Sequence, residues 1–196
     1  RMGESRNDKV RKSTFLCLTF CIHQVADRPA LHKNDRMVSI LSHGSGGKPI
    51  NIFRFDRFQN LLKGERRYMM ATFIRQAEAL LRYWDAEEGL WHTVIRRKDS
   101  YIEASGSAAV LCGIMKAVRL GYLPYAPYAE CIRKGMKAML GLIAEDGTVK
   151  KVSYGTPIGM NEQFYMDIPC FTMTYGQAMT ILMLQEAMQS YWMNKL

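Results

Sequence analysis

The sequence predicts an all-α protein built from repeated helical hairpins, and three observations carry that prediction. From Arg67 onward apolar residues recur at three and four residues rather than two, the spacing of helix faces. The helices are of two alternating kinds, amphipathic ones with a single apolar stripe and others almost without charge. A turn ending acid-acid-glycine precedes the second kind twice, at Glu87-Glu88-Gly89 and Glu145-Asp146-Gly147, with the glycines 58 residues apart. Outer amphipathic helices alternating with inner apolar ones are what a helical toroid requires, because its inner ring is covered on both sides.

The elements follow in order. From Arg67 to Trp84, Met70, Phe73, Ala77, Leu80, Leu81 and Trp84 form one stripe, with Arg75, Gln76, Glu78 and Arg82 opposite. That pattern is an amphipathic helix. A polar loop follows with an exposed-looking Trp91, then His92, and a basic cluster at Arg96, Arg97 and Lys98. Ala104 to Gly121 is charged only at Lys116 and Arg119 and opens on small residues (Ala104, Ser105, Gly106, Ser107, Ala108, Ala109). A helix apolar on nearly every face is buried. Gly121 supplies its stop and Pro124 prevents continuation. A third helix is expected over Ala129–Ala144, with Ile132, Met136, Met139, Leu140 and Ile143 inward and Arg133, Lys134 and Lys137 facing water. A long loop then runs to about Met173. The last helix, Tyr175 to about Trp192, carries Glu186 as its single charge.

Residues 1–64 resist this organisation. The segment NIFRFDRF alternates Phe53 and Phe55 with Arg54 and Asp56, a period of two that suits a short strand. Arginines between aromatics can bind single-stranded nucleic acid, but one such run without a nucleic-acid module does not make that reading. SHGSGGKP fails as a phosphate loop, since Ser42 stands where the first glycine is needed and Pro49 where Ser or Thr would meet magnesium. A flexible turn is the better reading. His23, His32 and His43 lack paired spacing, so no metal site is expected.

The chain has 196 residues, enough for one domain with a sizeable core. Its net charge of +9 is uneven: residues 1–67 contribute +8 and residues 68–196 only +1. The basic character therefore belongs to the segment outside the helical repeat. No apolar run reaches the roughly 18 residues of a membrane span. Phe15–Ile22 behind Arg11 and Lys12 has the outline of a signal-peptide core, but no small-x-small cleavage site follows cleanly. Five cysteines, odd in number and without metal-ligand spacing, read as reduced thiols in a cytoplasmic setting. The sequence begins with Arg1 rather than Met, which leaves an incomplete chain open.

GLWHTV (Gly89–Val94), YIEASGSA (Tyr101–Ala108), RLGYL (Arg119–Leu123), EDGTV (Glu145–Val149), VSYGTPIG (Val152–Gly159) and YGQA (Tyr175–Ala178) together carry a resemblance through their order and spacing. The region from about Glu65 to the C-terminus resembles the C-terminal part of unsaturated rhamnogalacturonyl hydrolases, glycoside hydrolase family 105, related to the unsaturated glucuronyl hydrolases of family 88. The resemblance implies an (α/α)6 barrel, of which two hairpins are readable here, and a division into an unmatched basic segment, 1–64, and a barrel portion, 65–196. It implies a small unsaturated oligosaccharide as substrate, no metal or organic cofactor, and no nucleic-acid or membrane partner; the oligomeric state stays open. In that family an aspartate protonates the double bond of a 4,5-unsaturated uronic acid, water adds, and the hemiketal collapses to release the sugar.

That aspartate belongs to the family's N-terminal half, beside a tryptophan and before a small residue. Asp8, Asp27, Asp35, Asp56, Asp85, Asp99, Asp146 and Asp167 all lack the context; Trp84-Asp85 is adjacent but lies at a helix end. No catalytic residue is carried over. The carried-over candidates are substrate-binding: Trp91 to stack on a sugar ring, His92 to hydrogen-bond it, Glu103 and Ser105 at the start of the inner helix, and Tyr101 and Tyr175 in equivalent places before the two inner helices. Each has a plainer alternative: interhelical packing for Trp91, ordinary helix-start chemistry for Glu103 and Ser105, half-buried rim structure for the tyrosines. Arg96, Arg97 and Lys98 could draw a uronate carboxylate, although a solvated cluster is favoured. The leading expectation is a piece of an unsaturated glycuronyl hydrolase; the alternative is a non-catalytic fragment or carbohydrate-binding remnant lacking the proton donor.

Overall fold

A computed structural model describes residues 63–157, 159–192 and 195–196. The expectations for residues 1–62, including the short strand and the turn at SHGSGGKP, lie outside the described residues. Among the described residues five α-helices follow one another: α1 Lys63–Arg82, α2 Ala104–Arg119, α3 Ala129–Gly141, α4 Glu162–Met166 and α5 Thr174–Ala187, with 3-10 turns at Ala126–Tyr128 and Ser190–Trp192. The described residues form no strand; three isolated bridges join His92 to Ile102, Ile143 to Val149 and Ser153 to Cys170. Among them no helix is long and apolar enough to cross a membrane.

α2 is the centre. All of its residues except Lys116 and Arg119 are buried, and its small side chains let α5 and α3 pack closely on it. A Cβ on Gly135 of α3 would stand 2.7 Å from a Leu111 methyl, so any side chain there would have to displace Leu111. At its C-terminus the amide of Gly121 bonds to Val118 and that of Tyr122 to Ala117, with Gly121 at φ 76°. This is the left-handed glycine stop expected from the sequence, and it places the helix end at Arg119 instead of Gly121.

Hydrogen bonds fix the directions of the helices. Trp91, just after the turn that ends α1, reaches Ser107 on the first turn of α2. Val149, just after the turn that follows α3, reaches Gln177 on the first turn of α5. Each pair is therefore an antiparallel hairpin, and the internal repeat extends to single bonds. The acceptor is the fourth residue of the inner helix in both, and the donor lies two residues beyond the turn glycine in both. Glu186 near the end of α5 pairs with Arg119 at the end of α2, so α2 and α5 run parallel, side by side.

Three boundaries differ from the sequence expectation by three residues or more. α1 begins at Lys63, because Lys63, Glu65 and Arg66 favour helix without showing an apolar stripe. α3 stops at Gly141, since Ile143 is drawn into its bridge with Val149 around the turn at Gly147. Its buried stripe is Cys131, Ile132, Gly135, Met136 and Met139, so Leu140, expected inward, is 53% exposed, and Ile143 is half-buried. α5 ends at Ala187 because Trp192 folds back into the core, with its indole nitrogen 3.4 Å from a Glu186 oxygen. The short α4 interrupts what reads as a loop; Asn161 caps it by accepting from the Phe164 amide.

Candidate functional site

The N-terminal ends of α2 and α5 open on the same side, and the segment Lys151–Gly155 lies across them. Glu103 precedes α2 in extended conformation and caps it: Oε2 accepts from the Gly106 amide at 2.6 Å and Oε1 from the Ser105 amide at 3.3 Å. The Ser105 hydroxyl donates to both carboxylate oxygens. A fourth donor comes from far along the chain, the Ser153 amide at 3.1 Å. The next free amide of α2, that of Ala104, donates to the Lys151 carbonyl. Glu103 and Ser105 are both buried.

Ser153 gathers the rest. Its hydroxyl is 2.8 Å from the Tyr101 hydroxyl, and its carbonyl accepts from the Tyr175 hydroxyl, which in turn accepts from the Gly155 amide. Burial raises the Tyr101 pKa, against a lowering by the bonds to Ser153 and Thr93. Contrary to the expectation of equivalent places, Tyr101 lies three residues before α2, whereas Tyr175 is within the first turn of α5. Their hydroxyls nevertheless arrive at one residue. Close packing supports the joint, since a Cβ on Gly176 would meet Val152 at 2.5 Å.

Trp91 and His92 stand elsewhere. Trp91 is 1% exposed, and its indole nitrogen donates to the Leu80 carbonyl at 2.8 Å. The expectation of an exposed ring is corrected: the indole fills the gap between α1 and α2, and no face of it is open to a sugar. His92 is buried with both ring nitrogens on acceptors, the Ser100 carbonyl and an Asp85 oxygen at 3.3 Å. Asp85 also accepts from the Glu87 and Glu88 amides and pairs with Lys98. Burial acts to raise its pKa, but the two amides, Lys98 and the His92 hydrogen bond prevail and hold the carboxyl well below the usual range. Asp85 is thus a turn clamp that stays ionised.

The basic cluster is committed as well. Arg96 pairs with Glu162, Arg97 with Asp99 and Glu162, and Lys98 with Asp85. Asp99, pushed down to about 2 chiefly by its bond to Arg97, and Asp146, lowered by the Thr148 amide, also favour the ionised form.

Sequence reasoning missed four residues here. Ser153 and Tyr154 lie inside the quoted stretch VSYGTPIG but were not singled out. Tyr154 (60% exposed) and Phe171 (56%) make an edge-on aromatic pair with centroids 5.3 Å apart. Backbone bonds from Tyr154 to Pro169 and from Phe171 to Val152, on either side of the Ser153–Cys170 bridge, hold that pair. Lys151 has φ 58°, a left-handed conformation that costs a non-glycine residue about 1–2 kcal/mol; nothing in the residue type announces it.

With this geometry in hand, residues 61–191 match the family described as Glycosyl Hydrolase Family 88. The chain belongs to that family. This family 88 chain is 33% identical over 116 residues to the unsaturated rhamnogalacturonyl hydrolase YesR of Bacillus subtilis, a match covering 59% of the chain and 31% of that protein. Two solved structures, each described as a possible member of family 105, are similar at 37% identity. The one from Salmonella enterica serovar Paratyphi A superposes with a TM-score of 0.66 and the one from Klebsiella pneumoniae with 0.65. Both matches cover 71% of this chain and 37% of the other. The family 88 chain therefore spans about a third of the length of these relatives.

Proposed function

We propose that this chain is the C-terminal portion, residues 65–196, of an (α/α)6 toroid that acts on small unsaturated rhamnogalacturonyl oligosaccharides. The carrying observation is the meeting of Tyr101, Tyr175 and Glu103 on Ser153 at the shared open end of two parallel helices. Glu103 and Ser105 serve this site as its frame, holding the Lys151–Gly155 segment in place. The hydroxyls of Tyr101 and Tyr175 border the space that a sugar would occupy. The stacking surface sought in Trp91 falls to Tyr154 and Phe171, whose exposed rings suit the apolar face of a pyranose. His92 contributes by keeping the preceding turn rigid.

The reaction is hydration of the 4,5 double bond. A carboxylic acid delivers a proton to the enol ether, water adds at the cationic carbon, and the resulting hemiketal opens with release of the leaving sugar. The step needs an acid that is protonated when substrate arrives. Asp85, Asp99 and Asp146 are all shifted the other way, and Glu103 is engaged by four donors. The donor accordingly belongs to the preceding portion of the fold, and this chain by itself binds without turning over.

The test is loss of the ultraviolet absorbance of the conjugated double bond, with an unsaturated galacturonyl–rhamnose disaccharide. The 196-residue chain should show no enzyme-like rate, since positioned acid–base catalysis contributes about 10²–10⁴-fold. A chimera carrying the upstream two thirds of a family 105 relative should recover turnover. A folded but inactive chimera would favour the non-catalytic, carbohydrate-binding reading. Turnover by the chain alone would mean that it contains the proton donor.

A further inference from the structure

The site just described lacks a partner for the one charge that every uronate carries. The basic cluster cannot supply it without breaking existing bonds, because Arg96, Arg97 and Lys98 are each held by a carboxylate. Beyond Val152 no Lys or Arg occurs until Lys195. At the near edge stands Lys151, exposed, and among the described residues no carboxylate lies within salt-bridge distance of it.

Three features place Lys151 at the mouth. Its carbonyl accepts from the Ala104 amide, so its backbone is fastened to the start of α2. It lies two residues before Ser153, whose amide donates to Glu103 at the start of α2. Its ammonium is near enough to Cys170, the bridge partner of Ser153, to lower that thiol's pKa against the rise caused first by burial and then by Glu103. The charge of the neighbouring Lys150 is felt instead, weakly and without a salt bridge, by Asp146 in the hairpin turn. The conformation adds weight. A left-handed residue without functional constraint is best served by glycine, as at Gly89, Gly121, Gly147 and Gly155 of this chain. Lys151 alone among the described non-glycine residues adopts it. Backbone strain of this kind gathers at functional positions.

We propose that the Lys151 ammonium anchors the carboxylate of the bound sugar, making the mouth of the two hairpins selective for uronates over neutral sugars. This assignment rests on the carbohydrate reading above. It makes Lys151 a binding residue whose unfavourable backbone is retained for its side chain.

The experiment is a titration of the isotopically labelled 196-residue chain with D-galacturonate and with D-galactose, followed through the Ser153, Tyr154 and Gly155 amides. At low salt galacturonate should bind roughly fivefold tighter than galactose, the size of one unit-charge pair about 4 Å apart in water. The preference should shrink as ionic strength rises. Lys151→Gln and Lys151→Gly should both erase it, while Lys150→Gln leaves it intact. Lys151→Gly should keep or raise the melting temperature, because glycine accepts the backbone freely, so its lost preference would not reflect unfolding. Unchanged preference in either Lys151 variant overturns the assignment, as does equal loss in Lys150→Gln. Equal binding of both sugars by the unaltered chain overturns the lysine assignment alone. If neither sugar moves these amides, the carbohydrate reading falls together with it.

Discussion

At the residue scale, Glu103 ties a helix cap to a loop fifty positions away. Glu103→Ala should therefore cost more than an ordinary cap. Loss of the cap accounts for about 0.5–2 kcal/mol, and the buried Ser153 amide left without its acceptor adds about 1–3 kcal/mol. Urea denaturation should show a loss of about 2–4 kcal/mol, with Glu103→Gln intermediate; a loss under about 0.5 kcal/mol would refute the tie. Asp85 offers a test by pH. Its native carboxyl is held below the unfolded value of about 3.9, so its contribution is fully present above that value and disappears as pH falls through the native one. The stability gap between the unaltered chain and Asp85→Asn should be widest near neutrality and should narrow steadily as pH falls below about 4. A gap of constant size would show that the clamp owes nothing to charge. Of the six candidate site residues, four came together and two did not, for a physical reason. Glu103, Ser105, Tyr101 and Tyr175 are fixed by where helices start, and helix starts leave marks in sequence. Trp91 and His92 follow a turn glycine, and their burial is settled by partners distant in the chain, α1 and α2 around the indole and Asp85 and Ser100 on the imidazole, which no local pattern records.

At the scale of elements, the contact between α2 and α5 is pinned at its far end by Arg119 and Glu186, bonded through two nitrogens at 2.6 and 2.9 Å. Glu186 is 6% exposed, so Arg119→Ala strands a buried charge and should cost about 3 kcal/mol. Replacing both by methionine should restore most of that loss, and a double-mutant cycle read by chemical denaturation should give about 1–3 kcal/mol of coupling. Additive single losses would show that the pair is incidental. The helices themselves were legible where composition is extreme. The small, uncharged run of α2 and its Gly121–Pro124 stop left little freedom. The five residues of α4 are too few for a period to register, and the end of α5 is decided by Trp192 finding a seat beside Glu186. Tertiary packing, and not a breaker residue, stops that helix.

At the scale of the molecule, α5 was expected to be enclosed but buries one face only, through Gly176, Met179, Thr180, Met183 and Glu186. Ile181, Leu182 and Met188 are exposed to 63%, 40% and 79%, so an apolar helix meets solvent along half of its girth. Ile181→Lys and Leu182→Lys should each change unfolding free energy by no more than about 0.5 kcal/mol, and together they should reduce self-association in sedimentation velocity. Met183→Lys, at 0% exposure, should instead prevent folding. If the outer pair proves as costly as Met183, that face is covered in solution. The bond from Ser153 to Glu103 has a further consequence in time. A ribosome adds about 5–20 residues per second, so α2 waits roughly 3–10 s after Glu103 is made before Ser153 exists to complete its cap. Throughout that interval the first turn of α2 has Glu103 and Ser105 but neither the Ser153 amide nor the Lys151 carbonyl, so its opening residues fray in the nascent chain. Release of a chain stopped at Asp146 would capture that state, with amides 104–107 exchanging rapidly while those near Val118 are already slow.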